Sequence, residues 1–454
     1  MAWLDRGLAY AREWLAYQQR HYRQPGLAAA IVHDGALVFD EAFGTADLGT
    51  GEPLTPRHRV RAASHSKSFT AAGIMRLVEE GRLRLDDRCG ETVPGLHPSV
   101  AGATIGQLLS HSGGVTRDGP DSGQFLDRMP YRSRNELLAD LSTPSPIEPG
   151  VRLKYSNHGY GLLGLVIENV TGEPYTDWMA GHVIAPAGLT EISPDVIPSD
   201  PRPFASGHSG EWPLGRRIVI PGRNPCRAIA PAGGFVSTAA DLARFFRQLD
   251  PGATESFLSV ASRREMTRRH WRDEGSSIER HYGLGIISGP PGPWAHFGHS
   301  GGFQGFITRT LVVPDQKLSL SVVTNAVDGL AYPWLDGLLH ILRRFEEGGE
   351  PAPGGEDWSG RWWSLWGAVD LVAIGNRVLA PMPASFAPFQ DASEIEVTAP
   401  DLGRITQAQG FGSPGEEARL LRDASGRVIE VQLAGAHLRP EAEVIAEMEQ
   451  RYGV

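Results

Sequence analysis

Ser64 and Lys67 stand three residues apart in the run Ser64-His65-Ser66-Lys67. At the start of a helix that spacing puts a hydroxyl and an amine on one face, one turn apart. The chain holds 43 basic residues, and only three of them, Lys67, Lys154 and Lys317, are lysines. Arginine supplies positive charge everywhere else. A guanidinium keeps its proton at any working pH, whereas an ammonium can be tuned to lose it. A position that needs a base therefore excludes arginine, and Ser-x-x-Lys is the arrangement of a serine nucleophile activated by a neutral lysine. The plainer reading is a helix-capping serine followed by a solvated lysine.

Two further stretches could complete such a site. In KYSNHGYGLLG, Tyr155 precedes Ser156 and Asn157 on a tight turn before a helix. A phenol held over a serine can share the base work and then hand its proton to a leaving amine or alkoxide. Asn157 would donate to a substrate carbonyl and hold Lys67. The alternative is an ordinary turn with an asparagine helix cap. In FGHSGGFQG, the run His299-Ser300-Gly301-Gly302 lets a substrate backbone come close. An N–H from this edge, paired with that of Ser64, would form an oxyanion hole, and His299 would hydrogen-bond either the substrate or the tyrosine. Its alternative is a glycine-rich loop with a packed histidine.

These groups need a scaffold. Met1 to Gln24 is amphipathic, with Leu4, Leu8, Ala11 and Leu15 at helical spacing. Gly26 to His33 reads as a strand, Asp34-Gly35 as a turn and Ala36 to Ala42 as the returning strand. Ser64 opens a helix that Gly81 closes. Residues from about 85 to 230 read as a mostly helical insert, with helices at Thr104 to Leu109 and Gly161 to Val170. Asp241 to Leu249 is helical. Strand character returns at Tyr282 to Ile287, Phe306 to Val313 and Leu318 to Asn325, and Leu335 to Phe345 closes as a helix. The expected fold class is α+β, an antiparallel sheet built from both ends of this stretch and flanked by helices. Glu346 to Asp357 has a linker's composition. Beyond it, Trp358, Trp362, Trp363 and Trp366 and short alternating segments (Val369 to Ile374, Arg377 to Ala380, Val428 to Leu433) predict a small all-β barrel or sandwich, with the tryptophans in its core. Glu441 to Tyr452 reads as helical. The expected domains are 1–346, a linker at 347–357 and a barrel at 358–454.

The 454-residue length suggests more than one domain. A formal net charge of −10 with no basic run argues against nucleic acid as a partner. No apolar stretch is long enough to span a membrane and no secretory leader is evident, so the expectation is a soluble cytoplasmic protein. Two cysteines, Cys89 and Cys226, fit a reducing compartment or two buried small residues. No metal-ligand spacing occurs, so no metal and no other cofactor is expected. His111, in LLSHSGG, reads as a loop-organising histidine bonded to backbone, and the pairs Arg216-Arg217 and Arg343-Arg344 read as solvated surface.

The order Ser-x-x-Lys, Tyr-x-Asn, His-x-Gly resembles the penicillin-recognising serine hydrolases: class C β-lactamases, D-aminopeptidases, DD-peptidases and related esterases. GRLRLDD (81–87), TIGQLLSHSGG (104–114) and YGLG (282–285) are similar too, so the resemblance covers roughly 20–345. It implies a β-lactamase/transpeptidase-like fold, with a tail similar in architecture to appended lipocalin-like barrels. It implies that Ser64 is acylated, that Lys67 and Tyr155 share the base work, and that Tyr155 protonates the leaving group. Asn157 then positions substrate and Lys67, His299 lines the pocket, and the Gly302 and Ser64 N–H groups hold the oxyanion. Many of the β-lactamases carry lysine where this chain has His299. Histidine favours a substrate carboxylate less, which leans the expectation away from β-lactams. The ranking is a D-aminopeptidase or D-amino-acid amidase first, then carboxylesterase, β-lactamase, and peptide thioesterase or cyclase. A non-catalytic, penicillin-binding ligand sensor is the rival class. The expected partner is a small molecule or short peptide. The tail either stabilises the catalytic domain or a homo-oligomer, or lends a loop to the pocket.

Overall fold

The computed structural model describes residues 2–212, 214–408 and 413–453. The helices used below are α1 (Ala2–His21), α2 (Ser66–Glu79), α3 (Asn157–Thr171), α4 (Ala239–Gln248), α5 (Ala331–Gly348) and α6 (Glu441–Tyr452). The chain divides into two compact units, Gln24–Tyr332 and Met1–Arg23 with Pro333–Val454. The linker expected at 347–357 therefore lies inside the second unit. Composition alone could not reveal that the N-terminal helix belongs with the C-terminal part.

The first unit is built on a nine-stranded antiparallel sheet. Its strands are β1 (Gly26–His33), β2 (Ala36–Asp47), β3 (Glu52–Pro53), β4 (Trp271–Arg272), β5 (His281–Tyr282), β6 (Ile287–Ser288), β7 (Phe297–Phe303), β8 (Phe306–Val313) and β9 (Leu318–Thr324). They lie in the order β3-β2-β1-β9-β8-β7-β6-β5-β4. Asp34 and Gly35 both take positive φ, the backbone a tight hairpin between β1 and β2 requires. The α+β expectation holds. α4 lies on β1 and β9 and buries Leu242, Phe245 and Phe246, with Phe245 stacked on Phe69 of α2 and Phe246 edge-on to His65.

Two strand readings change. The stretch 282–287 is not one strand: Gly283 to Ile286 forms a turn between β5 and β6, closed by Gly283 N–H donating to Ile286 O at 2.7 Å. Conversely, β7 is a strand although three of its seven residues are glycine, which lowers strand propensity and hid it. β7 pairs with β8 along its whole length, but with β6 only at Phe297 and Gly298. From His299 onward, among the described residues, no second strand of the sheet covers its other edge.

Between the strands, α2 is buried on almost every side, from Ser66 through Met75, as an all-round core helix should be. It contacts α3 and the one-turn helix Ala230–Gly233. Gly81, at φ +70, ends it. Cys89 and Cys226 are buried free thiols. Arg217 is not solvated surface: it makes a bidentate pair with Asp328 at 2.5 and 3.0 Å.

In the second unit, eight antiparallel strands run in sequence order: β10 (Gly360–Ser364), β11 (Gly367–Ile374), β12 (Arg377–Ala380), β13 (Ser393–Ala399), β14 (Leu402–Gln407), β15 (Glu417–Arg422), β16 (Val428–Leu433) and β17 (Ala436–Leu438). Trp363 and Arg439 exchange backbone hydrogen bonds at 2.8 Å, nearly closing the sheet into a barrel. Trp358 sits in its core with Leu371, Val378, Ile395 and Val431. Trp362 packs against that core and Trp363 is half-buried. Trp366 is 96% exposed, which corrects the expectation that it is core. Among the described residues, no helix is long and apolar enough to cross a membrane.

Candidate active site

Ser64 does not open α2. It lies in a 3-10 turn, Ala63–His65, directly before it, and Ala63 adopts φ +53, a region costly for a residue with a side chain. The turn is held in place from several sides. Ser66 Oγ–H donates to Ala63 O at 2.5 Å and accepts from the Phe235 N–H at 3.0 Å. His65 reaches Ala62 O and Thr310 Oγ1, each at 3.0 Å. Burial pushes His65 down to about 3, so it is a neutral strut rather than a base.

Lys67, one turn on, is fully buried and has three neighbours: Ser64 Oγ at 3.1 Å, Asn157 Oδ1 at 2.8 Å and Ala232 O at 2.8 Å. Its Nζ also lies 4.6 Å from the centre of the Tyr155 ring. Desolvation drives its pKa well below the ordinary lysine value, with Asp118 opposing and Arg117 reinforcing the shift.

Tyr155 O–H donates to Ser64 Oγ at 2.9 Å. Burial raises this phenol above its ordinary value, although the bond to Ser64 and the charge of Arg117 pull the other way. Ser156, not Asn157, caps α3: its Oγ accepts the Gly159 N–H at 2.8 Å. The capping role expected for the asparagine falls to its neighbour, which leaves the Asn157 side chain free to face Lys67. His111 fulfils the loop-organising expectation, since its Nδ1 accepts the Ser156 N–H at 3.1 Å. Its ring lies 4.1 Å, centre to centre, from that of Tyr155.

The third motif comes in along β7. A Cβ at Gly301 would collide with Ala62 O, Thr308 Oγ1 and Ala63 Cβ, so only glycine lets this strand pass the Ala63–His65 turn. His299 is buried and bonded to Tyr282 O–H through Nε2 at 3.0 Å, with Nδ1 2.7 Å from Ser300 O. Burial, His65 and Lys67 push it well below the ordinary histidine value, so it is uncharged at neutral pH. The turn after Tyr282 presses on α2: a Cβ at Gly285 would meet Ala71 Cβ at 2.7 Å and Lys67 O at 2.8 Å.

These motifs meet at one cleft of about 1350 Å³. Ser64, Tyr155, Asn157, His299, Ser300, Gly301 and Gly302 all line it, so the sequence-selected residues converge, while Lys67 sits behind them. Three partners were not anticipated: Asp118, which accepts from Asn157 Nδ2 at 2.6 Å, the Ala232 carbonyl, and Tyr282 as the anchor of His299. A lone aspartate in a loop and a main-chain oxygen leave no signature in a sequence.

Residues 11–336 match the family described as Beta-lactamase. The chain belongs to the beta-lactamase family. It is a serine hydrolase of that fold. It is 30% identical over 342 residues to penicillin-binding protein 4 of Amycolatopsis lactamdurans, covering 70% of this chain and 84% of that one. Among solved structures it is similar to SurE, with a TM-score of 0.62 and 25% identity, over 96% of this chain and 99% of that chain. That likeness runs through the barrel as well as the family region. It is also similar to a D-stereospecific amidohydrolase from Streptomyces sp., at TM-score 0.58 and 26% identity, over 70% and 94% of the two chains.

Proposed function

We propose that this family member cleaves amides or esters through an acyl-enzyme on Ser64, with an acyl donor of the D-amino-acid amidase or D-aminopeptidase kind. The observation that carries the reading is the three-way contact of Ser64 Oγ with Lys67 Nζ and Tyr155 O–H. The opposite pKa directions of Lys67 and Tyr155 divide work that the resemblance had shared between them. Lys67 is the base and Tyr155 the acid. Ser64 Oγ bonds to the carbonyl carbon and its proton passes to Lys67. The oxyanion is met by the N–H groups of Ser64 and Gly302. As the C–N or C–O bond breaks, Tyr155 protonates the leaving atom and is reprotonated from Lys67, which returns to the neutral amine. Water then repeats the sequence on the acyl-enzyme and releases the acid. Asn157 holds Lys67 and the edge of β7 receives the substrate backbone.

The D-preference rests on the likeness to the D-stereospecific amidohydrolase. The uncharged His299 supports amides and esters over β-lactams, because it offers no cation to a substrate carboxylate. A panel of D- and L-aminoacyl p-nitroanilides, p-nitrophenyl esters and nitrocefin tests this ranking. Faster turnover of the D-anilides is expected. Turnover of nitrocefin alone would overturn it. A fluorophosphonate label that stays on indefinitely with no substrate turned over would favour the ligand sensor.

The cleft volume supports a second reading. At about 1350 Å³ it exceeds the roughly 300–1,000 Å³ of ordinary small-ligand pockets, leaving room for an acceptor amine beside the acyl chain. Acyl transfer, including the thioesterase or cyclase reaction, is tested by adding an amine and weighing the products by mass spectrometry.

A further inference from the structure

The geometry points to Asp118 as the positioning residue that fixes the amide of Asn157, and through it turns the lone pair of Lys67 onto Ser64. This rests on the reading of Ser64 as the acylated nucleophile. Asp118 lies in the loop that follows LLSHSGG, and its side chain is 13% exposed. The same loop grips the start of α3, because Arg117 O accepts the N–H groups of Asn157 and His158 at 2.9 and 3.1 Å. Two otherwise unpaired helix-end donors are satisfied there. The loop and Asn157 are thus locked together before any side chain is considered.

A carboxylate oxygen can only accept, so the Asn157 atom 2.6 Å from Asp118 Oδ1 must be the amide nitrogen. The amide oxygen then faces Lys67 Nζ at 2.8 Å. Ala232 O, on another side of the amine, is likewise an acceptor. A neutral amine has two protons and one lone pair. Both protons are taken by these two acceptors, and the remaining direction, toward Ser64 Oγ at 3.1 Å, receives the lone pair. Ser64 Oγ already accepts from Tyr155 O–H, so its own proton points at Lys67. The chain of bonds has one direction, and Asp118 is what sets it. Without Asp118 the Asn157 amide is free to turn over. Its N–H would then compete for the Lys67 lone pair, and the base would face away from the hydroxyl. Arg117 holds the other carboxylate oxygen, Nε to Oδ2 at 3.0 Å, and its side chain is 65% exposed.

The test measures the rate at which Ser64 takes a fluorophosphonate label, across pH, in the full-length protein. Asp118→Ala is expected to slow labelling about 100-fold. Asp118→Asn keeps an acceptor oxygen for Asn157 and is expected to recover most of that loss. It also removes a charge that favours the ammonium form, so the acid limb moves to lower pH. The other groups facing Lys67 (Arg117, Tyr155, Tyr160, His111, His299 and Cys226) are unchanged in both variants. The double variant Asp118→Ala/Asn157→Ala is expected to be no slower than Asn157→Ala alone. Additive losses, or wild-type labelling in Asp118→Ala, would overturn the inference. So would a loss confined to KM for substrates with a free α-ammonium, which would make Asp118 a substrate anchor instead. If the wild-type protein takes no label, the acyl-enzyme reading fails separately. The Asp118 inference is then decided by the side-chain amide ¹⁵N resonance of Asn157, which shifts in Asp118→Asn only if the bond exists.

Discussion

The wall of the cleft and the core of the barrel bury their side chains by opposite rules. Around Ser64, the buried set includes His65, Ser66, Lys67, Ser68, Thr70, His111, Asn157 and His299. Among the described residues of the barrel strands, the one buried charged group is Asp370, and Arg361 pairs with it at 2.6 and 3.0 Å. The barrel core itself is Trp358, leucine, isoleucine, valine and alanine. Burying a polar group is costly unless its bonds are replaced. The barrel avoids the cost and the cleft wall accepts it repeatedly, meeting most of these groups with a specific partner, although His111 Nε2 has none. The difference teaches where chemistry sits: a fold needs only the barrel's rule, whereas tuning an amine to be neutral needs the other.

If the contrast is right, the largest effects come from the cleft. Ser64→Ala should abolish fluorophosphonate labelling and lower kcat/KM by about 10⁴-fold or more, with the thermal midpoint unchanged. Lys67→Arg should cost about 10³-fold despite keeping the charge, because the removable proton is gone. Stopped assays against one p-nitrophenyl ester read both. In the barrel, Trp358→Ala should act on stability alone, by about 3–5 kcal/mol in denaturant unfolding, with labelling per folded molecule preserved. Loss of Ser64 reactivity in that variant would break the division.

Acid should separate the regions more gently. His65, His111 and His299 are held neutral by burial, so their folded pKa values lie below the ordinary 6.5. The unfolded chain then binds more protons, and stability falls as pH drops below about 6.5, continuing toward about 3 for His65. The slope is about 1.4 kcal/mol per pH unit for each histidine. Calorimetry between pH 7 and 5 should show a falling midpoint, and His65→Gln should reduce the fall. The smallest effect belongs to Lys317→Arg, whose exposed pair with Asp34 at 3.2 Å should be worth within about 0.5 kcal/mol.

Much of this was legible in the sequence. β1, β8, β12, β16 and α6 fall where the residue pattern puts them, because each is a run of consistent propensity bounded by turn residues. The motif residues converge because their chemistry is written in residue type, above all in a lysine kept by a chain that otherwise uses arginine. What was hidden is what depends on distant partners. The glycines of β7 conceal a strand whose form is imposed by β8. The 282–287 stretch looks like a strand but is folded into a turn against Lys67 and Met266. Trp366 reads as core, yet sits on a hairpin tip between β10 and β11. Asp118 and Ala232 O carry no local signal at all.

The central claim is that Lys67 is uncharged beside Ser64. With three lysines in the chain, ¹⁵N labelling at lysine makes the measurement direct, and Lys67→Arg assigns the resonance. The Lys67 amine should be neutral at pH 7 and titrate well below the ordinary lysine value of 10.5. A Lys67 that stays an ammonium through pH 9 would contradict it.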